Sequence, residues 1–236
     1  MVKRPPGPVT CLSNFAALET ISRVFAVMVR LFLVAGLLLP GLCCGADGPV
    51  VLVLGDSLSA GYGLSRDEGW VSLLEERLAS QGLPFGIVNA SVSGDTTAGG
   101  LTRLPPLLER HRPAVLVIQL GANDGLRGLG FEEIEANLTR LVRLGKEAGA
   151  RVLLVGIRLP PNYGAAFSER FQATFPAVAE REQVPLVPYL LQGVGERWDL
   201  IQADGLHPTA EAQPFLLDNV WVGLEPLVRD TIPPGT

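Results

Sequence analysis

The stretch Val50-Val51-Leu52-Val53-Leu54-Gly55-Asp56-Ser57-Leu58-Ser59 decides the fold of this chain. Its first five residues are all apolar and rich in β-branched valine, a pattern typical of a strand that is covered on both faces. Ser57 follows this strand directly, and open α/β sheets bind their ligands at the carboxyl ends of their strands. The stretch therefore predicts a parallel sheet with a serine at its functional edge.

Four more apolar runs follow this first one, and helical patterns separate them. Strands that alternate with helices predict a parallel sheet with right-handed crossovers, and hence a three-layer α/β/α domain. The clearest helical stripe is formed by Ile134, Leu138, Leu141 and Val142. The predicted strands are Val50–Leu54, Phe85–Asn89, Val115–Leu120, Val152–Ile157 and Pro185–Val187; the predicted helices are Trp70–Gln81, Ala98–His111, Phe131–Ala148, Phe167–Glu182 and Ala210 to about Val228.

Three polar residues form a candidate catalytic set. Ser57 is a weak nucleophile unless a base takes its proton, and a histidine is the usual base. His207 is the candidate, because the other histidine, His111, lies at the charged end of a predicted helix. Asp204 precedes His207 by three residues, so one loop supplies the base and the carboxylate that orients it. The structural alternatives are a helix N-cap for Ser57 and a surface loop acid for Asp204.

Acyl transfer also needs hydrogen-bond donors for the oxyanion of its tetrahedral intermediate. The candidates are the backbone amides of Ser57 and Gly94 and the side-chain amide of Asn123. A glycine at position 94 permits close backbone approach and unusual backbone angles. The alternative role of Asn123 is to pin a turn, and Asp56 is interpreted as a structural residue that bonds loop amides.

The stretches that contain these candidate residues resemble the sequence blocks of the SGNH (GDSL) hydrolase superfamily, in the same order along the chain. They resemble most the bacterial periplasmic branch of thioesterase I, protease I and lysophospholipase, and the similarity covers residues 50–228. One departure is Ala122, where a second glycine is common in the family. The matching blocks are Gly55–Ser59, Val88–Thr96, Gly121–Gly128, Ile157–Gly164 and Asp204–Phe215.

This resemblance implies a short five-stranded parallel sheet of the flavodoxin type. It implies Ser57 as nucleophile, His207 as base and Asp204 as its partner, with Ser57, Gly94 and Asn123 forming the oxyanion site. The expected activity is that of a serine esterase, which hydrolyses carboxylic esters and thioesters through an acyl-enzyme on Ser57. No cofactor or metal is expected, and the expected partner is a small acyl ester or thioester bound by a monomer.

The segment from Arg158 to Phe167 is predicted to be a long, proline-containing loop at the same edge of the sheet. Leu159, Tyr163 and Phe167 make it apolar. The resemblance suggests that these three residues form a flexible wall of an acyl-chain groove. The alternative is that they cap the core without contacting any substrate.

Other enzyme classes fit the sequence less well. A metallophosphoesterase needs more histidines than the two present. The G-x-S-x-G elbow of α/β-hydrolases fails because Ser59 stands where its second glycine belongs. A non-catalytic binding module predicts a missing catalytic residue, and none is missing. A carbohydrate O-acetyl esterase remains the alternative, because the same catalytic groups cleave any ester.

Residues 1–46 are predicted to be a leader, with Met28 as a possible true start. An apolar stretch, Leu31–Leu42, precedes small residues that fit signal-peptidase cleavage after Ala46. Removing four basic and one acidic residue leaves 15 basic and 23 acidic residues, a net charge of −8. This charge argues against a nucleic-acid partner. We therefore expect residues 47–236 to form one hydrolase domain, periplasmic or secreted, without stable membrane insertion.

Overall fold

A computed structural model describes residues 48–232, and its centre is one parallel sheet. The strands run in the order β2-β1-β3-β4-β5, and every neighbouring pair is parallel. The predicted three-layer α/β/α architecture with a five-stranded sheet is confirmed. The strand bounds are β1 Val50–Gly55, β2 Gly86–Asn89, β3 Val115–Gln119, β4 Arg151–Val155 and β5 Leu186–Val187.

Helices cover both faces of this sheet. Their bounds are α1 Ser57–Ala60, α2 Trp70–Ser80, α3 Thr97–His111, α4 Ala122–Leu126, α5 Phe131–Glu147, α6 Ala165–Glu182 and α7 Gln213–Arg229. One layer contains α3, α5 and α6, which pack side by side, and the other contains α2 and α7, which pack on each other. Short 3₁₀ turns occur at Pro161–Tyr163, Trp198–Leu200 and Ala210–Ala212.

The central strands β1 and β3 are buried on both faces, as their apolar runs predict, whereas the edge strand β2 is only half-buried. Val51 to Leu54 and all of β3 have no appreciable solvent exposure. On α5 the predicted stripe is buried: Ile134, Leu138, Leu141 and Val142 face the core. This continuous core fixes the strands, and the strands in turn fix the positions of the loops at their carboxyl ends.

Three predicted strands and one predicted loop end differently in the structure, and the first strand, β1, extends one residue further, to Gly55. Leu120 and Ile157 lie beyond the ends of β3 and β4, because the chain leaves the sheet there to enter the loops of the functional edge. The predicted loop to Phe167 ends earlier, because α6 begins at Ala165 and places Phe167 in its first turn. None of the helices between residues 48 and 232 combines the length and hydropathy that a bilayer span requires. The predicted leader, residues 1–46, lies outside the described residues.

Candidate active site

The strand order places three of the predicted site residues just beyond the carboxyl ends of neighbouring strands. β1 lies between β2 and β3, so the carboxyl ends of these three strands are adjacent at one edge of the sheet. Ser57 begins α1 after β1, Gly94 lies in the loop after β2, and Asn123 lies in α4 after β3. In this strand order the direction of winding reverses between β1 and β3, where doubly wound sheets bind ligands.

A chain of hydrogen bonds joins Ser57, His207 and Asp204. Ser57 Oγ lies 2.9 Å from His207 Nε2, and His207 Nδ1 lies 2.6 Å from Asp204 Oδ2. The other carboxylate oxygen, Asp204 Oδ1, accepts hydrogen bonds from the backbone amides of Leu206 at 2.9 Å and His207 at 3.0 Å. This arrangement lets a histidine accept the serine proton while a fixed carboxylate orients the imidazole ring.

Hydrogen bonding keeps the Asp204 carboxylate charged. Its partial burial raises the pKa, but hydrogen bonds from the backbone and imidazole of His207 and from the backbone of Leu206 lower the pKa of Asp204 to about 2. A charged carboxylate accepts the Nδ1 hydrogen of His207 and leaves Nε2 free to act as the base. The tautomer that the base requires therefore follows from the loop geometry.

A backbone bridge closes the loop that carries His207. Ile201 and Pro208 pair as an isolated antiparallel bridge, and the amide of Gln202 donates to the carbonyl of His207 at 2.7 Å. The side-chain amide of Gln202 donates to the carbonyls of Pro208 and Tyr62, both at 2.8 Å. Because Tyr62 follows α1, these bonds tie the loop of the base to the segment behind the nucleophile.

The structure brings Ser57, Gly94 and Asn123 to the lining of one cleft. Asn123 Nδ2 donates to the carbonyl of Asp95 at 2.9 Å, which holds the side chain in place and leaves its second amide hydrogen for a ligand. Among the described residues, the backbone amides of Ser57 and Gly94 have no acceptor. Gly94 has a φ of 81°, a conformation that favours glycine. These donors have the chemistry that an oxyanion requires.

The turn before Ser57 contains a fully buried carboxylate. Asp56 caps α1, with Oδ1 accepting the amide hydrogen of Leu58 at 3.0 Å. Burial raises the pKa of Asp56 to about 6, despite the lowering effect of hydrogen bonds from Leu58 and Gln119. Gly55 must be a glycine here, because a Cβ would lie 2.7 Å from Cβ of Ser59.

The cleft extends from Ser57 and His207 past the segment after β4 and has a volume of 1270 Å³. Leu159 and Tyr163 line it, and the Tyr163 hydroxyl donates to the carbonyl of Leu126 at 3.0 Å. Phe167 is not among the lining residues, which corrects the prediction that it forms part of the wall. In the first turn of α6 its ring instead packs against the ring of Phe131, with centroids 4.8 Å apart, and stacks on the ring of Tyr163, with centroids 6.2 Å apart.

Sequence reasoning did not identify several residues that support this site. Gln119 and Ser59 hydrogen-bond beneath the nucleophile, and Gln202 fastens the histidine loop. The ring centroids of Tyr62 and His207 lie 4.4 Å apart. One feature pointed to Gln119: it is the only polar residue in the apolar run Val115–Leu120. Gln202 and Tyr62 had no comparable feature.

The burial of Asp56 makes stability depend on pH in the direction opposite to that of most carboxylates. Between about pH 4 and about pH 6 the folded protein keeps a proton on Asp56 that the unfolded chain releases, so stability falls as pH rises through this range. Asp56→Asn removes this loss. We expect the stability of the variant relative to wild type to increase from pH 4 to pH 8, by about 3 kcal/mol at most. Urea unfolding at both pH values measures it.

The control for this prediction is Asp199→Asn. A hydrogen bond from Arg197 lowers the pKa of Asp199, so the relative stability of this variant does not increase between the same two pH values. A stability difference between Asp56→Asn and wild type that is equal at pH 4 and pH 8 contradicts the buried, destabilised carboxylate.

Comparison with known proteins shows the family of this chain. Residues 53–213 match the GDSL-like Lipase/Acylhydrolase family. The chain is 51% identical over 183 residues to Esterase TesA of Pseudomonas aeruginosa, covering 78% of this chain and 91% of that protein. It is 43% identical over 184 residues to Thioesterase 1/protease 1/lysophospholipase L1 of Escherichia coli K12, covering 78% and 87%.

A solved structure agrees with these relatives. The crystal structure of TesA superposes with a TM-score of 0.74 at 52% identity, and the match covers 75% of this chain and 99% of that one. The resemblance that the sequence blocks carry is thus confirmed in sequence and in fold. The chain belongs to the GDSL-like lipase/acylhydrolase family, the SGNH hydrolases.

Proposed function

We propose that this protein is a serine esterase that hydrolyses carboxylic esters and thioesters through an acyl-enzyme on Ser57. The observation that carries the proposal is the hydrogen-bonded chain from Ser57 Oγ through His207 to Asp204, with distances of 2.9 Å and 2.6 Å. The names of the relatives, an esterase and a thioesterase/lysophospholipase, support both the ester and the thioester as substrates.

The geometry gives each group one task. Ser57 Oγ attacks the acyl carbon while His207 Nε2 takes the hydroxyl proton, and the carbonyl electrons move onto oxygen. The amides of Ser57 and Gly94 and the free N–H of Asn123 stabilise that oxyanion. His207 then gives its proton to the alcohol or thiol, which departs, and the acyl group remains bonded to Ser57 Oγ as the acyl-enzyme. A water molecule then gives a proton to His207 and attacks the acyl carbon. The proton passes from His207 to Ser57 Oγ, and the carboxylic acid is released.

The first test of this proposal concerns Ser57. Ser57→Ala removes the attacking oxygen, so ester hydrolysis should fall by about 10⁴-fold or more while the fold remains intact. A fluorophosphonate probe should label the wild type on one serine and leave the variant unlabelled. Ser93→Ala, which removes the hydroxyl of an exposed serine that also lines the cleft, is the matched control and should label normally. Labelling of Ser57→Ala at a different serine contradicts the assignment.

We propose further that the cleft accepts medium to long acyl chains. Its walls include the aliphatic side chains of Leu126, Ile157 and Leu159 and the ring of Tyr163. Leu159 is buried and packs with the core, so it presents an apolar surface to the cleft. An apolar wall beside the nucleophile favours a hydrocarbon chain over a sugar, whose hydroxyl groups need polar partners.

Chain length tests this preference. Each buried methylene contributes about 0.8 kcal/mol, so kcat/KM should rise nearly fourfold per methylene in p-nitrophenyl esters and acyl-CoAs until the groove is full. Tyr163→Ala should flatten this rise and leave acetyl-ester hydrolysis unchanged, whereas Tyr163→Phe keeps the ring and should preserve the rise. If sugar acetates are the best substrates and chain length brings no gain, the protein is a carbohydrate O-acetyl esterase instead.

We propose that the protein is exported and acts outside the cytoplasm as a monomeric domain that begins near Asp47. The basic and apolar pattern of residues 28–42, followed by small residues up to Ala46, supports this proposal. N-terminal sequencing of the protein from the periplasm or medium should give a start near Asp47, and light scattering should give the mass of one chain. A protein that keeps Leu31–Leu42 in the membrane fraction contradicts it.

A further inference from the structure

A buried polar chain lies beneath the nucleophile, and the catalytic steps above leave it without a task. Ser59 Oγ donates to Gln119 Oε1 at 2.6 Å, and Gln119 Nε2 donates to Asp56 Oδ1 at 3.1 Å. Asp56 and Gln119 have no solvent exposure, and Ser59 is 2% exposed. Burying three polar side chains is costly unless their hydrogen bonds are made, so each partner fixes the next.

This chain connects the two strands that flank the cleft. Gly55 at the end of β1 pairs with Gln119 at the end of β3, and the glutamine side chain then reaches back to the turn that carries Ser57. Asn123, the candidate side chain of the oxyanion site, follows Gln119 by four residues. The bond from Gln119 to Asp56 therefore crosses between the strand of the nucleophile and the strand of the oxyanion side chain.

The chemistry of Asp56 determines the orientation of the glutamine. A charged carboxylate only accepts hydrogen bonds, so the NH₂ of Gln119 must face Asp56 and its carbonyl oxygen must face the hydroxyl of Ser59. Asp56 Oδ1 receives both of the hydrogen bonds that the carboxylate accepts, from Leu58 and Gln119. Asp56 Oδ2 is buried without a hydrogen-bond partner among the described residues. The charged form of Asp56 thus depends on two donors, one of which is Gln119.

We propose that Gln119 is a positioning residue, which fixes Asp56 and through it the turn that presents Ser57 to His207. The proposal rests on the serine-esterase function above. When Gln119 is lost, Asp56 loses one of its two donors, so its charge becomes harder to maintain near neutral pH. Neutral Asp56 then no longer attracts the imidazolium that His207 becomes during each half-reaction.

Two titratable groups act on Asp56 besides its hydrogen-bond donors. His207 approaches from the loop before α7 and favours the charged form, and Asp95, from the loop between β2 and α3, disfavours it. Asp95 forms a salt bridge with Arg103, which offsets its charge. With these neighbours unchanged, a shift in the pH profile of a Gln119 variant reports on Asp56.

The experiment is a double-mutant cycle of Gln119→Leu and Asp56→Asn on p-nitrophenyl butyrate. The value of kcat is the maximal rate divided by the concentration of sites titrated with a fluorophosphonate, so that unfolded molecules do not count. We expect Gln119→Leu to lower kcat per site about tenfold or more, with KM little changed, because a hydrogen bond to a charged group is lost. Because Asp56 then ionises at higher pH, the acidic limb that it sets in the pH profile of kcat should move to higher pH by about one unit.

The second half of the cycle isolates the route. In the Asp56→Asn background the carboxyl group is absent, so adding Gln119→Leu should leave the acidic limb in place. Ser59→Ala removes only the hydroxyl that orients Gln119, so it should shift the acidic limb in the same direction by a smaller amount. If Gln119→Leu does not fold, the shift in Ser59→Ala tests the proposal instead. Asn219→Leu, which removes a side-chain amide that donates hydrogen bonds to the carbonyls of Leu190 and Gln192, is the control and should leave the limb unmoved.

Two results overturn the proposal. One is an acidic limb that does not move in Gln119→Leu, or in Ser59→Ala if Gln119→Leu does not fold. This result overturns the proposal whatever the value of kcat, because the loss of a purely structural glutamine can lower kcat without moving the limb. The other is a shift that persists in the Asp56→Asn background, because it then acts by a route other than Asp56. If the wild type itself shows no esterase activity and no labelling of Ser57, the proposed function fails. An active, labelled wild type with an unmoved limb refutes this inference alone.

Discussion

The central constraint in this structure is the position of β1 between β2 and β3. Parallel strands end at a common edge, so this order alone brings the loops that carry Ser57, Gly94 and Asn123 together. The apolar core that buries β1 and β3 on both faces makes the order rigid. Ser57 and Asn123 therefore follow the most strongly buried strands of the protein, which suits groups that must be in place before the substrate arrives.

The histidine and its carboxylate are held differently, by a short loop far along the chain. Their positions depend on the Ile201–Pro208 bridge and on hydrogen bonds of Gln202, not on the sheet. The base is thus built locally and then fastened to the segment after α1. This division lets the strand ends set the attack geometry, while the loop sets the tautomer and orientation of the imidazole.

Much of this arrangement was predictable from the sequence, and the exceptions have physical reasons. Five apolar runs and the polar residues Ser57, Asp204 and His207 indicated the sheet and the site at its edge, because apolar runs and catalytic residue types are local patterns. The position of Phe167 was not predictable, since the start of α6 depends on the packing of Phe131 and Tyr163 from other elements. The hydrogen bond between Gln119 and Asp56 spans 63 residues, and no local pattern encodes such a contact.

The distance in sequence between Ser57 and His207 has a consequence for the growing chain. The two residues are 150 positions apart, and Trp70 at the start of α2 is hydrogen-bonded to Gln213 at the start of α7. A chain that stops before Asp204 contains the nucleophile and the oxyanion donors but not the base. The complete catalytic site therefore forms only when the two ends of the domain have packed against each other, so an incomplete chain cannot hydrolyse an ester by this route.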